Sequence, residues 1–95
     1  MAIIGAVLGD IAGSQYEFDR PANLDWKTCE LFTSRCRFTD DTVMTLAAKS
    51  AVENGIPFAD SYRRFGRRYP DAGYGRRFEE WLWNEGMGAY NSFGN

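Results

Sequence analysis

One helix is specified more completely than any other element of this sequence, and it constrains what the rest can form. Thr39 is a typical N-cap residue, and Asp40 and Asp41 follow it in the first turn, where acidic side chains complement the helix dipole. Apolar residues then recur at helical spacing until Gly55, a residue type that commonly ends helices, and Pro57 cannot continue one. The sequence therefore predicts a helix that begins after Thr39 and ends before Gly55.

Three further helices are predicted from apolar residues at helical spacing, over residues 2–15, 58–69 and about 78–85. Pro70 ends the second of these, and Gly86 and Gly88 close the last. Residues 16–37 show no sustained period and contain several turn residues, so they predict a long loop. No segment alternates apolar and polar residues as strands do, and the predicted class is all-α, an orthogonal bundle of about four helices with long loops.

The first predicted helix carries a glycine at every fourth position, namely Gly5, Gly9 and Gly13. Each glycine lowers the stability of a helix by up to ~1 kcal/mol relative to alanine, so three glycines on one face of a helix (a glycine stripe) need a structural reason. Close approach of another backbone or of a ligand would supply one, and the apolar residues around the stripe predict that the helix is buried. Asp10 lies beside the stripe, and an acid on a mostly apolar helix needs a partner.

Composition limits the class of protein. The 95 residues suggest one domain or part of one, and 44% apolar with 16% aromatic residues exclude a disordered segment. A net charge of −2 gives no general attraction to nucleic acid or to an anionic membrane. The N-terminal apolar run is broken by glycines and an aspartate, which argues against a signal peptide or a spanning helix. The two cysteines and the lack of histidine argue against a zinc site, and we expect a cytoplasmic protein with free thiols.

The Thr39-Asp40-Asp41-Thr42 cluster can be interpreted in two ways, as a metal site or as a helix start, and its spacing alone does not decide between them. Magnesium and manganese prefer hard oxygen ligands, usually one or two carboxylates with several waters. Adjacent helical residues point about 100° apart, so neighbouring aspartates can reach toward two metals, or toward one metal and its bound water. Alternatively, the same residues simply start a helix, with a threonine cap and two acids in the first turn.

Glu17 follows the first predicted helix and stands between two aromatic residues. A glutamate in such surroundings can have a raised pKa and act as an acid or a base. By chemistry alone, a glutamate at a helix end that faces water is the more ordinary interpretation.

The segment from Arg63 to Arg68 is locally basic and interleaved with an apolar stripe. It can meet phosphates, but a single arginine-rich face in an acidic protein is more typical of the solvent side of a helix. We therefore expect no nucleic-acid partner.

Four blocks, in this order along nearly the whole chain, resemble the ADP-ribosylglycohydrolase (DraG-like) family. They are Gly5-Ala6-Val7-Leu8-Gly9-Asp10-Ile11-Ala12-Gly13-Ser14 with Glu17-Phe18, Phe38-Thr39-Asp40-Asp41-Thr42, Tyr69-Pro70-Asp71-Ala72-Gly73-Tyr74-Gly75, and Tyr90-Asn91-Ser92-Phe93-Gly94-Asn95. The resemblance implies an all-α hydrolase that removes ADP-ribose from a modified protein or a related acceptor, with two magnesium or manganese ions.

The resemblance also implies residue roles. Glu17 would be the catalytic acidic residue near the metals and the ribose, and Asp10 would support the site. The remaining roles are metal ligation by Thr39, Asp40 and Asp41, and binding of the ADP-ribose phosphates by Ser92, Gly94 and Asn95. Glycines in such a loop let backbone N–H groups approach a phosphate.

The chain departs from the family in length. Family members are much longer, and their further metal ligands come from an aspartate- and threonine-containing motif near the C-terminus, which this sequence lacks. We therefore expect residues 1–95 to be the N-terminal part of such a domain, with half of the metal site and little activity alone. The alternative is an inactive helical fragment that self-associates, as a homo-oligomer, and at most binds ADP-ribose weakly.

Overall fold

The described part of the chain forms four helices. The computed structural model describes residues 3–18, 22–25 and 27–92, and within these residues it contains no strand. The helices are α1 (Ile4–Ser14), α2 (Asp40–Asn54), α3 (Phe58–Arg68) and α4 (Arg76–Trp83). The predicted all-α class is confirmed. None of these helices combines the length and the apolar character needed to cross a membrane, in the part of the chain that the structure describes.

The ends of α2 agree with the signals in the sequence. Thr39 is extended, with φ −123° and ψ −171°, and its side chain accepts a hydrogen bond of 3.2 Å from the backbone N–H of Asp41. At the other end, Gly55 has a φ of 65°, in the left-handed region that favours glycine. The cap and the terminating glycine were both readable from the sequence because each depends on local backbone geometry.

The core is small and lies mainly between α2, α3 and α4. Its buried apolar side chains are Val43, Ala47, Ala51, Trp81 and Leu82. Buried Ser61 of α3 donates a 2.6 Å hydrogen bond to the carbonyl of Ala47, which brings the two helices close together. A Cβ placed on Gly66 would lie 2.5 Å from a methyl carbon of Leu82, so a larger residue here would require this buried leucine to shift.

The prediction that α1 is buried is wrong. None of its described residues is buried, and Ile4 and Leu8 are 69% and 46% exposed. The physical reason is that α1 packs against α2 and against no other helix in the described residues, so only one side of it is covered. The glycine stripe is likewise open, since a Cβ on Gly5, Gly9 or Gly13 would meet no atom within 4 Å.

Helix α4 ends at Trp83, earlier than the sequence indicated, because the backbone of Asn84 is extended, with φ −118° and ψ 96°. Arg63 stacks 4.0 Å above the ring of Trp81 and donates hydrogen bonds to the carbonyls of Trp81, Asn84 and Met87 at 3.3, 3.1 and 3.0 Å. Arg67 donates from Nε to the carbonyl of Leu82 at 2.8 Å. These bonds add side-chain donors to carbonyls at the end of α4, where the intrahelical hydrogen bonds stop. Two arginines of the expected solvent face therefore hold helices together.

The long loop is fastened to the end of α1 by one side chain. Gln15 is buried, and its Nε2 donates to the carbonyls of Glu30 and Leu31, each at 3.1 Å. Its Oε1 accepts a 2.8 Å hydrogen bond from the hydroxyl of Thr33. A buried amide with all of these partners is costly to replace, so Gln15 fixes where the loop passes.

Two glycine-to-alanine variants test the packing. We expect Gly66→Ala to lower the free energy of unfolding by about 1–3 kcal/mol, because the new methyl group overlaps fully buried Leu82. Gly9→Ala, its matched control in another helix, should raise stability by up to ~1 kcal/mol, because its Cβ meets nothing within 4 Å. Urea denaturation followed by circular dichroism measures both, and equal effects of the two variants would contradict the packing at Gly66.

Candidate functional site

The carboxylate of Asp10 joins α1 to the first turn of α2. Its Oδ1 accepts a hydrogen bond of 2.6 Å from the hydroxyl of Thr39, and its Oδ2 accepts one of 2.8 Å from the backbone N–H of the same residue. Oδ2 also accepts from the hydroxyl of Thr42 at 2.6 Å and from its backbone N–H at 3.3 Å. Two of the N–H groups at the start of α2 are therefore satisfied by a side chain from another helix.

These hydrogen bonds determine the charge state of Asp10. Burial by itself would raise the pKa of this carboxyl, but the hydrogen bonds from Thr39 and Thr42 outweigh burial and hold the pKa below its ordinary value. The ionised carboxylate also lies at the positive end of the α2 dipole. Asp10 is thus a fixed anion whose acceptor capacity is used by the two threonines.

Asp40 and Asp41 are adjacent but lie in different surroundings. Asp40 is half-buried, and its backbone N–H donates to the carbonyl of Ala72 at 2.8 Å. Burial and then the charge of Asp41 raise the pKa of Asp40, with a smaller contribution from Asp10. Burial and the negative charge of Asp40 also raise the pKa of Tyr74. Repulsion among these carboxylates means that a cation placed between them would be stabilised.

A groove lies between α1 and the start of α2. Its volume is about 620 Å³, and its acidic lining residues are Asp10, Glu17 and Asp41. Gly9 and Gly13 form part of the wall. A second groove of about 610 Å³ runs past Asp10 and Asp41 toward the middle of α2. Gly9 and Gly13 of the stripe therefore face space large enough for a ligand, and no backbone fills it among the described residues.

The structure brings together some of the predicted site residues and separates others. Glu17 is exposed and lines the same groove as Asp10 and Asp41. Glu17 and Asp41 are 24 positions apart in the sequence. Thr39 is buried, and Asp40 is not among the residues that line the groove. Within residues 3–18, 22–25 and 27–92, no group of three or more Asp, Glu, Cys or His side chains is close enough to hold a metal ion.

The predicted phosphate-binding residues lie at the end of the described chain. Ser92 is exposed, and Gly94 and Asn95 lie outside the described residues. The carbonyl of Asn91 accepts a 3.0 Å hydrogen bond from Arg77 of α4, so the segment that leads to Ser92 is held by a helix.

Two residues that organise the site, Thr42 and Gln15, were not predicted from the sequence. Thr42 stands three positions after Thr39, so both side chains lie on one side of the helix, and this spacing was the available signal. No comparable signal exists for Gln15, because its partners are 15 to 18 positions away.

The described residues thus form an all-α fold with an acidic groove at the N-terminus of α2. The chain belongs to the ADP-ribosylglycohydrolase family, whose family model matches residues 1–95. No curated protein and no solved structure matches it. The resemblance seen in the sequence is thereby confirmed. The family implies hydrolase activity on ADP-ribosylated substrates, and its members generally use metal ions.

The Asp10 network gives a stability prediction. Thr39 and Thr42 are buried residues, 9% and 6% exposed. Asp10→Ala leaves their hydroxyls without an acceptor, and we expect the free energy of unfolding to fall by about 2–4 kcal/mol. Because the folded pKa lies below the ordinary value of 3.8, the advantage of the wild type is complete above that pH and decreases as the pH falls through the folded pKa.

Urea unfolding of both proteins from pH 2 to pH 7, without divalent cations, measures this difference. Asp60→Ala removes another aspartate from the first turn of a helix and is the matched control. It should cost less than about 1 kcal/mol, from the helix dipole alone. A constant difference between wild type and Asp10→Ala across this pH range would contradict the network.

Proposed function

We propose that this chain supplies the acidic half of a metal-dependent active site that hydrolyses ADP-ribosyl linkages. The observation that carries the proposal is the groove beside the N-terminus of α2 that Asp10, Glu17 and Asp41 line, in a chain that matches the family over its whole length. The substrate would be an ADP-ribosylated protein or a small molecule with an ADP-ribose group. Residues 1–95 would form the N-terminal part of the domain.

The donor set suits a hard cation. Thr39, Asp40 and Asp41 would hold magnesium or manganese, since both ions prefer hydroxyl, carboxylate and water oxygens. When bound, such an ion polarises ribose hydroxyls and positions water near the anomeric carbon. Within the described residues, fewer than three carboxylates converge on one point.

Asp10 would orient Thr39 as a ligand. The Thr39 hydroxyl donates its hydrogen to Asp10 and accepts one from the backbone of Asp41, at 2.6 and 3.2 Å. A hydroxyl oxygen has two lone pairs, so one lone pair stays available and its direction is set by the other two bonds. Asp10 thus acts as a positioning residue, since it fixes a neighbouring ligand.

Glu17 would act on the substrate from the open side of the groove. It is exposed, it follows α1, and its neighbour Gln15 fastens the long loop that passes beside it. Cleavage at an anomeric carbon develops positive charge, and a nearby carboxylate stabilises that charge or accepts a proton from water. Ser92, with Gly94 and Asn95, would bind the phosphates of ADP-ribose.

Removal of the paired aspartates tests the metal site. We expect Asp40→Ala with Asp41→Ala to weaken binding of Mn²⁺ or Mg²⁺ by at least about tenfold, because charged oxygen ligands are lost. Isothermal titration calorimetry of residues 1–95 measures the affinity. In the longest version of the protein that the reading frame encodes, the same double variant should abolish metal-dependent release of ADP-ribose.

Asp60→Ala, which removes an exposed acid from the first turn of α3, is the control and should leave metal binding unchanged. Unaltered activity in the double variant would refute the assignment of the ligands.

A second candidate function is self-association of a catalytically inactive helical module. The exposed apolar side of α1 favours it, with Ile4 and Leu8 uncovered and a glycine stripe that permits close approach. Light scattering over a range of concentrations tests it, since a dimer would show a molar mass that rises with concentration. A well-folded chain that stays monomeric throughout would eliminate this candidate.

A further inference from the structure

A pocket on the other side of the Thr39–Asp40 turn has no role in the function proposed above. Its volume is about 360 Å³, and it is lined by Arg37 and Phe38 on one wall and by the segment from Arg68 to Ala72 on the other. None of these residues lines the acidic groove. A pocket of this size is at the lower end of the range for small-molecule sites, roughly 300–1,000 Å³.

The two walls are held in place by contacts from several elements. The rings of Phe38 and Tyr69 meet edge to face, with centroids 5.8 Å apart and planes at 87°. The backbone N–H of Arg37 donates to the hydroxyl of Ser14 at 2.9 Å. The hydroxyl of Tyr74 donates to the carbonyl of Tyr69 at 2.8 Å. The pocket is therefore formed before any ligand enters, which lowers the entropy lost on binding.

A backbone hydrogen bond joins the wall that follows α3 to the start of α2. Ala72 accepts the N–H of Asp40 at 2.8 Å, so the residues that follow α3 cannot move away from the start of α2. The aromatic rings nevertheless remain accessible, since Phe38 is 44% and Tyr69 is 39% exposed. Exposed rings at the mouth of a fixed pocket are suited to contact with a flat or apolar ligand.

The charged groups of the pocket favour an anion. Arg37 and Arg68 are exposed, and neither guanidinium forms an ion pair within the described part of the chain. Arg68 lies with its guanidinium carbon 5.9 Å from the ring centroid of Tyr69. Asp71 is the single acidic residue in the lining, so positive groups outnumber negative ones. A guanidinium presents its donors in a fork that matches carboxylate and phosphate oxygens.

We propose that this pocket is a binding site for a small organic anion, a carboxylate or phosphate carried on a flat or apolar group. The anionic oxygens lie between Arg37 and Arg68, and the apolar part contacts Phe38 and Tyr69. The site is separate from the acidic groove and needs no metal ion. An experiment that confirms or refutes this site therefore does not test the hydrolase function proposed above.

Titration with phenyl phosphate tests the site, because this probe combines a phosphate with a flat ring. Nitrogen-15-labelled protein, free of divalent cations, should show saturable shifts of the backbone amides in residues 37–38 and 68–72. We expect a Kd of about 1 mM, typical of a fragment that makes a few contacts in a preformed pocket. Inorganic phosphate and benzyl alcohol, which each carry half of the recognition chemistry, should bind at least about tenfold more weakly.

Variants locate the binding. Arg37→Gln and Arg68→Gln should each weaken phenyl phosphate at least about fivefold, since each removes a charge-assisted hydrogen bond from a partly exposed site. Phe38→Leu keeps an apolar side chain but removes the ring, and it should weaken phenyl phosphate while leaving inorganic phosphate unaffected. Arg64→Gln is the matched control, an exposed arginine one helical turn before Arg68 that does not line this pocket, and its effect should stay within about twofold.

Circular dichroism of each variant shows whether the fold is retained, which we expect because neither Arg37 nor Arg68 has a side-chain hydrogen bond in the described part of the chain. The proposal is overturned if phenyl phosphate causes no shifts localised to the pocket. It is also overturned if inorganic phosphate binds equally well, or if Arg64→Gln weakens binding as much as Arg68→Gln does, because either result indicates diffuse attraction to surface arginines.

Discussion

The contact between Asp10 and the first turn of α2 is the interaction on which the arrangement of the site depends. A carboxylate from α1 accepts four hydrogen bonds from two threonines, and each threonine contributes a hydroxyl and a backbone N–H. The positive end of the α2 dipole adds to this attraction. Because α1 packs against α2 alone among the described helices, this network helps to hold α1 beside the first turn of α2. The groove lined by Asp10, Glu17 and Asp41 lies beside that contact.

Polar side chains hold much of the remainder of the fold together, because the apolar core is small. Five apolar side chains are buried in the described residues, so hydrogen bonds to backbone carbonyls supply much of the specificity. Arg63 and Arg67 fasten α3 to the end of α4, Ser61 joins α3 to α2, and Gln15 fastens the long loop to α1. These side chains place the elements that a larger hydrophobic core would otherwise position.

Several features of the site were readable from the sequence, because they depend on neighbours within one helical turn. The cap at Thr39, the acidic first turn and the left-handed Gly55 all follow from local backbone geometry. The need of Asp10 for a partner also followed, since an acid on an apolar helix cannot remain unpaired. The identity of that partner did not follow, because Thr39 and Thr42 lie 29 and 32 positions away.

By itself, the sequence determined the all-α class, the position of four helices, the family and the residue types of an acidic site. Each of these depends on periodicity, on capping residues or on motifs that are continuous in the chain. Only the tertiary structure decided that α1 is exposed, that Asp41 rather than Asp40 faces the groove with Glu17, and that the arginines of α3 divide between helix capping and an aromatic pocket. These features depend on which distant segments meet, and the energies of such contacts leave no local pattern in the sequence.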